Sequence, residues 1–242
     1  MRHFALIGYS LTHSQSERLF YEQHFPDADY RLASMPSLKG LRQWVKQESI
    51  SGFNVTIPYK QEVIPYLDAL SPEAETINAV NCVVLENGKL IGHNTDAPAF
   101  QQTLVSAHWP LADNAFILGT GGAAQAVAYA LRQLGIHYTM VSRNPDVHPG
   151  SISYSDATFQ SSHFTLIINA TPVGMYPNID QTPFCLSSFS YPCPYLFVYD
   201  LIYNPSPTRL LREAAALHAQ TKNGLEMLRL QAQLSWRLWH LN

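Results

Sequence analysis

Asn54-Val55-Thr56-Ile57-Pro58-Tyr59-Lys60 sets an amide, a hydroxyl and an ammonium group close together beside a proline. Side chains alternate along an extended chain, so Asn54, Thr56 and Lys60 share one face if the bend at Pro58 keeps the phase. Such a face offers donors and acceptors to a polyhydroxylated small molecule, with one titratable amine at its end. The alternative for this stretch is a turn after a buried strand, with Lys60 merely solvated. Two more polar strings, Asn78-Ala79-Val80-Asn81 and Gly92-His93-Asn94-Thr95-Asp96, add amides and one carboxylate. Asp96 either caps the helix that follows or pairs with a lysine, and Lys60 is the obvious candidate. His13-Ser14-Gln15-Ser16 places two hydroxyls at i and i+2 near a helix start. They could hold a carboxylate or only cap the helix.

A second set of residues suits a dinucleotide. Gly119-Thr120-Gly121-Gly122-Ala123-Ala124 follows an apolar run and opens a long helical pattern, the context in which G-x-G-x-x-A carries meaning. Gly119 permits the tight turn, Gly121 the approach of a pyrophosphate, and Ala124 close packing of helix on strand. Free N–H groups and the partial positive charge of the helix end then favour phosphate. The following strand ends Val141-Ser142-Arg143-Asn144 with no acid at its tip. A carboxylate there would select NAD. Arg143 can instead grip a 2′-phosphate through its planar fork, with Ser142 and Asn144 as added donors, so NADP is expected, although Asp146 lies nearby. Asn169-Ala170-Thr171, after another apolar run, reads as a loop facing the nicotinamide half or as a simple turn.

The elements that must position these groups follow from periodicity. Strands are expected at 4–7, 52–57, 80–85 and 90–92, the last two joined through Asn87-Gly88, a hairpin signal. Helices are expected at 14–25, 38–47, 63–70 and 72–77, the last with proline at its first position. Beyond Asp96 comes an amphipathic segment at 100–107 and a polar turn at Ala112-Asp113-Asn114. Strands at 116–118, 138–142, 165–168 and 196–200 then alternate with helices at 123–134 and 208–219, which implies a parallel sheet with crossovers. A long apolar-periodic segment, 225–241, carries Trp236 and Trp239, read as packing residues. Linkers are expected at 93–97 and around Asn223-Gly224.

Composition narrows the classes. At 242 residues, one large domain or two modest ones are both compatible with the length. The chain is 46% hydrophobic and 14% charged, with net charge −3 and no long basic run, which argues against nucleic acid or an anionic membrane as partner. Cys82, Cys185 and Cys193 have neither metal-ligand nor disulfide-framework spacing. No metal is expected. The apolar stretch after Met1 is too short for a signal or spanning segment, and the expected setting is a reducing cytoplasm.

Taken in order, the short motifs resemble the NADP-dependent shikimate dehydrogenases over nearly the whole chain. Gly8 with His13-Ser14-Gln15-Ser16, Gly52-Phe53-Asn54 through Lys60, Ala79-Val80-Asn81, Asn94-Thr95-Asp96 and the Gly119 string carry the resemblance. Asn169-Ala170-Thr171, Asp200 to Pro205 and Met227 to Gln231 complete it. It implies an α/β fold: an N-terminal substrate-binding domain (1–97 and 222–242) and a Rossmann-type, doubly wound NADP-binding domain (98–221), with a cleft between them. It also implies that Ser14, Ser16 and Tyr203 hold the substrate carboxylate, and that Asn54, Thr56, Lys60, Asn81, Asp96 and Gln231 surround the ring hydroxyls. Lys60 and Asp96 would be the catalytic pair. Gly119, Thr120, Gly121, Gly122, Ala123, Ser142, Arg143, Asn144, Asn169, Ala170, Thr171, Gly224 and Met227 would serve NADP. The expected activity is reversible reduction of 3-dehydroshikimate to shikimate by a monomer or homodimer. The rivals are an NAD-preferring quinate/shikimate dehydrogenase and a catalytically silent ligand-binding relative. Ser10, Glu17, Asn144, Glu226 and Arg229 depart from the family's usual residues, and trimmed loops are expected in the cofactor half.

Overall fold

The computed structural model describes residues 1–11, 14–109, 114–157, 165–186 and 195–241. His13, the Ala112-Asp113 turn and Cys193 lie outside the described residues. The chain forms two compact units, Met1–Ala99 with Leu228–Asn242, and Phe100–Met227.

The first unit contains β1 (Arg2–Gly8), α1 (Ser16–Tyr21), β2 (Ala28–Ser34), α2 (Leu41–Gln47), β3 (Ile50–Val55), β4 (Ala69–Leu70), α3 (Pro72–Ile77), β5 (Cys82–Glu86) and β6 (Lys89–His93). Its six-stranded sheet has the order β2-β1-β3-β5-β6-β4. β1 runs parallel to β2 and β3, whereas β5 is antiparallel to β3 and β6. Period-two alternation sorts the apolar residues. Ala5, Ile7, Phe53, Val55 and Val83 enter one core cluster, while Phe4, Leu6, Cys82 and Val84 enter the other. The β5–β6 hairpin turns at Asn87 (φ 50°) and Gly88 (φ 77°), the left-handed pair such a turn demands.

The helix α4 (Asp96–Ser106) runs from the first unit into the second. β7 (Asn114–Leu118), α5 (Gly122–Gln133), β8 (His137–Ser142), β9 (Ser151–Ser153), β10 (Thr165–Asn169), β11 (Leu196–Asp200), α6 (Arg209–Ala216) and β12 (Gln220–Asn223) follow. These strands form a wholly parallel sheet in the order β12-β11-β10-β7-β8-β9. Strand order reverses between β7 and β10, the switch point beside which ligands of open α/β sheets bind. β10 and β11 are buried at every position, as strands covered on both faces must be. The last helix, α7 (Leu225–Leu238), gives residues 228 onward to the first unit. There Trp239 stacks on Phe4 with centroids 4.5 Å apart, and its Nε1 donates to the Val83 carbonyl at 3.0 Å. Both tryptophans are core residues, as expected.

Several local expectations need correction. The helix expected at 63–70 is only a 3₁₀ turn at Ile64–Tyr66, and Ala69–Leu70 is a strand beside β6. Pro65 cannot donate to a helical ladder, and Asp68 N–H goes to the Leu90 carbonyl instead. The helix expected at 14–25 contracts to Ser16–Tyr21 and the one at 38–47 to Leu41–Gln47. The strand β2 had no counterpart in the sequence reading, and the linker expected near Asn223 is the end of β12. His93–Ala97 is likewise no linker: it closes β6 and opens α4, with Asn94, Thr95 and Asp96 all buried. Among the described residues, only a 3₁₀ turn and β9 lie between β8 and β10, with no α-helix.

Candidate active site

β3 delivers Asn54 to the carboxyl edge of the first sheet, but the strand stops at Val55. The chain then turns, with Tyr59 N–H bonded to the Thr56 carbonyl and Val63 N–H to that of Tyr59. Lys60 therefore sits on a turn, and the extended face expected for Asn54, Thr56 and Lys60 is not the way they are arranged. What fixes Lys60 is its carbonyl, which accepts from Val80 N–H at 2.7 Å. That bond ties the turn to the segment carrying Asn81.

From there the polar strings converge. Lys60 Nζ donates to Asp96 Oδ2 at 2.6 Å, with side chains 15% and 7% exposed, so the pair is shielded without being sealed. Asn81 Nδ2 donates to Asp96 Oδ1 at 3.0 Å and to Thr95 Oγ1 at 2.9 Å, and lies 3.3 Å from Gln231 Oε1. Asn81 Oδ1 accepts from Thr95 N–H at 2.7 Å. Asn94 holds the same corner: its Nδ2 donates to the Ala79 carbonyl and its Oδ1 accepts from Ala97 N–H. Asp96 starts α4 but does not spend its carboxylate on the helix end.

Asn54 is more constrained than its sequence position suggested. Its Nδ2 donates to the Asn81 carbonyl at 3.1 Å and to Ser235 Oγ at 2.9 Å, while its Oδ1 accepts from Tyr30 O–H at 2.9 Å. Both amide hydrogens are thus committed inside the protein. Tyr30 also has Ser16 as a side-chain partner, and burial pushes its phenol well above the usual range. Ser14 Oγ accepts from Ser16 N–H at 3.2 Å, and both serines are half-buried. Thr56 is half-buried one residue beyond β3. Tyr30, Thr95 and Ser235 are polar groups that the sequence reading did not single out. A lone hydroxyl such as Ser235 in an apolar-periodic segment gives no local signal, and Thr95 is overshadowed by Asn94 and Asp96 in its polar string.

In the second unit the glycine string sits where expected, between β7 and α5. Gly119 adopts φ 106°, and no side chain caps α5 at Gly121, so its first N–H groups are left for an anion. Asn169 ends β10 across the switch point, and Ala170 N–H bonds to the Leu118 carbonyl at 3.0 Å. Asn169 Oδ1 accepts from Thr171 N–H and Oγ1, shaping that loop. Ser142 ends β8, its Oγ accepting from Asn144 N–H, with Arg143 and Asn144 exposed. Tyr203 is half-buried on the segment after β11, and Gly224 and Met227 are buried around the start of α7. These residues fit a dinucleotide: an uncapped helix start with small residues, and a cationic strand tip lacking a carboxylate. Glu226 accepts from Lys222 and Ser106, whose hydrogen bonds hold its carboxyl below the usual range.

Asp200, at the end of β11, is fully buried and clamps the two loops together. It accepts from Asn169 Nδ2 and Ile202 N–H at 3.0 Å each, and from Thr208 Oγ1 at 2.6 Å. None of these partners is a cation, so burial wins and the carboxyl is pushed up to about 6. The folded state then binds a proton more tightly than the unfolded chain does. Stability from this group is greatest below pH ~4, falls as pH rises toward ~6, and stays low above it. The expected result is that the stability advantage of the parent over Asp200→Asn, measured by urea unfolding, shrinks by up to about 3 kcal/mol between pH 4 and 7. A difference that does not change with pH contradicts this.

Known proteins match this chain in sequence and fold. Residues 6–83 match the family model described as the shikimate dehydrogenase substrate binding domain. A Caldicellulosiruptor saccharolyticus protein named shikimate dehydrogenase (NADP(+)) is 34% identical, over 99% of this chain and 92% of its own length. The crystal structure of shikimate dehydrogenase 1 from Peptoclostridium difficile superposes with TM-score 0.87 at 32% identity, covering 99% of this chain and 92% of that one. A Thermus thermophilus shikimate 5-dehydrogenase, solved in complex with NADP(H) and shikimate, gives TM-score 0.85 at 34% identity, covering 99% and 93%. With this identity holding across nearly the full length of both chains, the protein belongs to the shikimate dehydrogenase family.

Proposed function

We propose that the chain is an NADP-dependent shikimate dehydrogenase, which reversibly reduces 3-dehydroshikimate to shikimate on the route to chorismate and the aromatic amino acids. The observation that carries the reading is the shielded Lys60–Asp96 pair, held by Asn81 within a unit matching the family's substrate-binding domain. In this reading the first unit takes the substrate and the second takes NADP. NADPH supplies the hydride when bound, and the protein supplies orientation, electrostatics and the proton.

Lys60 commits one ammonium hydrogen to Asp96, which leaves two of its three for the ketone oxygen. As charge develops on that oxygen, the ammonium stabilises it and then donates a proton. The partial exposure of Lys60 lets solvent return the proton. Asp96 orients the amine and keeps its charge matched. Ser14, Ser16 and Tyr203 are assigned to the carboxylate, and Asn54, Thr56, Asn81 and Gln231 to the ring hydroxyls. Gly119, Thr120, Gly121, Gly122 and Ala123 hold the pyrophosphate, Ser142, Arg143 and Asn144 the 2′-phosphate, and Asn169, Ala170, Thr171, Gly224 and Met227 the nicotinamide side. The molecule is read as a cytoplasmic monomer or homodimer. No helix among the described residues is long and apolar enough to cross a membrane.

The deciding assay follows cofactor reduction with shikimate and quinate, each with NADP and NAD. Preference for shikimate with NADP supports the reading; preference for NAD and quinate, or no turnover, overturns it. The cofactor half has its own test. Arg143→Ala is expected to raise the NADP KM roughly ten- to a hundred-fold, the loss of charge-assisted hydrogen bonds to a phosphate, with NAD kinetics nearly unchanged. Equal damage with both cofactors would remove Arg143 from the 2′-phosphate.

A further inference from the structure

The C-terminal helix reaches the catalytic pair through one buried hydroxyl. Ser235 is fully buried and touches Asn54 on β3, Thr95 in the Asn94–Asp96 segment, Cys82 on β5 and, within its own helix, Gln231. Its Oγ accepts from Asn54 Nδ2 at 2.9 Å, donates to the Gln231 carbonyl at 3.0 Å, and lies 3.3 Å from Thr95 Oγ1. One assignment satisfies these contacts together. With its one hydrogen given to Gln231, Ser235 accepts from Thr95, which turns the lone pairs of Thr95 Oγ1 toward Asn81. Asn81 has two amide hydrogens but three acceptors in reach: Thr95 Oγ1, Asp96 Oδ1 and Gln231 Oε1. Thr95 claims one, which leaves one for Asp96 and keeps Gln231 at the longest distance, 3.3 Å.

We infer that Ser235 is a positioning residue: it orients Thr95 and Asn54 so that Asn81 directs its second hydrogen at Asp96 rather than Gln231, holding the carboxylate where it aligns Lys60. This deepens the dehydrogenase reading and rests on it. Removal of the Ser235 hydroxyl frees Thr95 to turn its own hydrogen elsewhere and leaves one Asn54 hydrogen unpaired. Asn81 can then choose between Asp96 and Gln231. Asn54, Asn81 and Gln231, the side chains assigned to the ring hydroxyls, all remain in place, so the larger loss falls on the chemical step.

The test compares Ser235→Ala with Ile50→Val, a cavity variant in the same unit at a residue 1% exposed and away from the polar chain. Both lower the thermal midpoint. Ser235→Ala alone is expected to lower kcat for shikimate oxidation roughly ten-fold, with KM within about two-fold, and to move the pH at which kcat is half-maximal. Thr95→Val, nearly the same shape, reads the link from its other side and serves if the alanine variant folds poorly. It is expected to show the same kcat loss and pH movement, and the double variant to lose less than the product of the two. Parental kcat and pH profile in either folded variant, or the same changes in Ile50→Val, would overturn the inference. If the parent itself does not oxidise shikimate, the functional reading fails instead.

Discussion

Lys60→Ala is expected to lower kcat for shikimate oxidation by roughly a thousand-fold, the scale of a lost general base (the acid of the reverse reduction) that also stabilises the alkoxide. KM should change by less than about five-fold, because the amine acts mainly on charge that appears in the transition state. A fall in kcat of only a few-fold would rule out proton donation as its main role. The variant also strands Asp96, a carboxylate whose side chain is 7% exposed, leaving Asn81 as its hydrogen-bonding side-chain partner among the described residues. Some loss of stability follows, so kinetics must be normalised to folded protein. Asp96→Asn separates the roles. It keeps an acceptor for Asn81 and loses the charge opposite Lys60.

The pairing of Lys60 with Asp96 was legible because its residues fall in polar strings interrupting apolar runs. Asn54 to Lys60, Asn78 to Asn81 and Gly92 to Asp96 each break a strand pattern, and the sheet brings the three together. The parallel sheet of the second unit was legible for the related reason that β7, β10 and β11 are short apolar runs ending in Gly or Asn/Asp. Less was visible where geometry depends on pairing distant in sequence. β2 is a mixed-polarity edge strand whose role comes from alignment with β1, and β12 is polar and exists by pairing with β11. The turn at Lys60 was hidden because Thr56 N–H still bonds to the Ile7 carbonyl, carrying the sheet one residue on before the chain bends. Ser235 escaped notice for a different reason. In a helix spaced by Leu228, Ala232 and Trp236, with Trp239 just beyond its end, a buried serine looks like a small packing residue until its partners from β3 and the Asn94–Asp96 segment are known.

Gly224 and Gly121 both belong to the residues assigned to NADP, yet they should fail in opposite ways when replaced by alanine. Gly224 is buried between β12 and α7, and its N–H bonds to the Ile202 carbonyl at 3.2 Å. A Cβ there would overlap the Leu201 carbonyl oxygen and stand 2.5 Å from the carbonyl carbon. Backbone cannot rotate aside as a side chain can, so the 201–203 segment, which carries Tyr203 and follows the Asp200 clamp, must move as a whole. Gly224→Ala is therefore expected to cost about 3 kcal/mol or more in urea unfolding, at the upper end for overpacking, with NADP affinity lost as a consequence. Gly121 is exposed at the start of α5, with φ −73° and no atom within 4 Å of the position a methyl would take. Alanine there fits the free protein at a cost of only about 1 kcal/mol for the weaker cap. It places a methyl where the pyrophosphate must approach, so the NADP KM should rise at least about ten-fold. The two effects cross: one variant loses stability first, the other cofactor binding alone. If Gly121→Ala binds NADP as the parent does, the pyrophosphate does not lie against that turn. If Gly224→Ala keeps parental stability, the 201–203 segment yields more readily than its clamp to Asn169 and Thr208 implies.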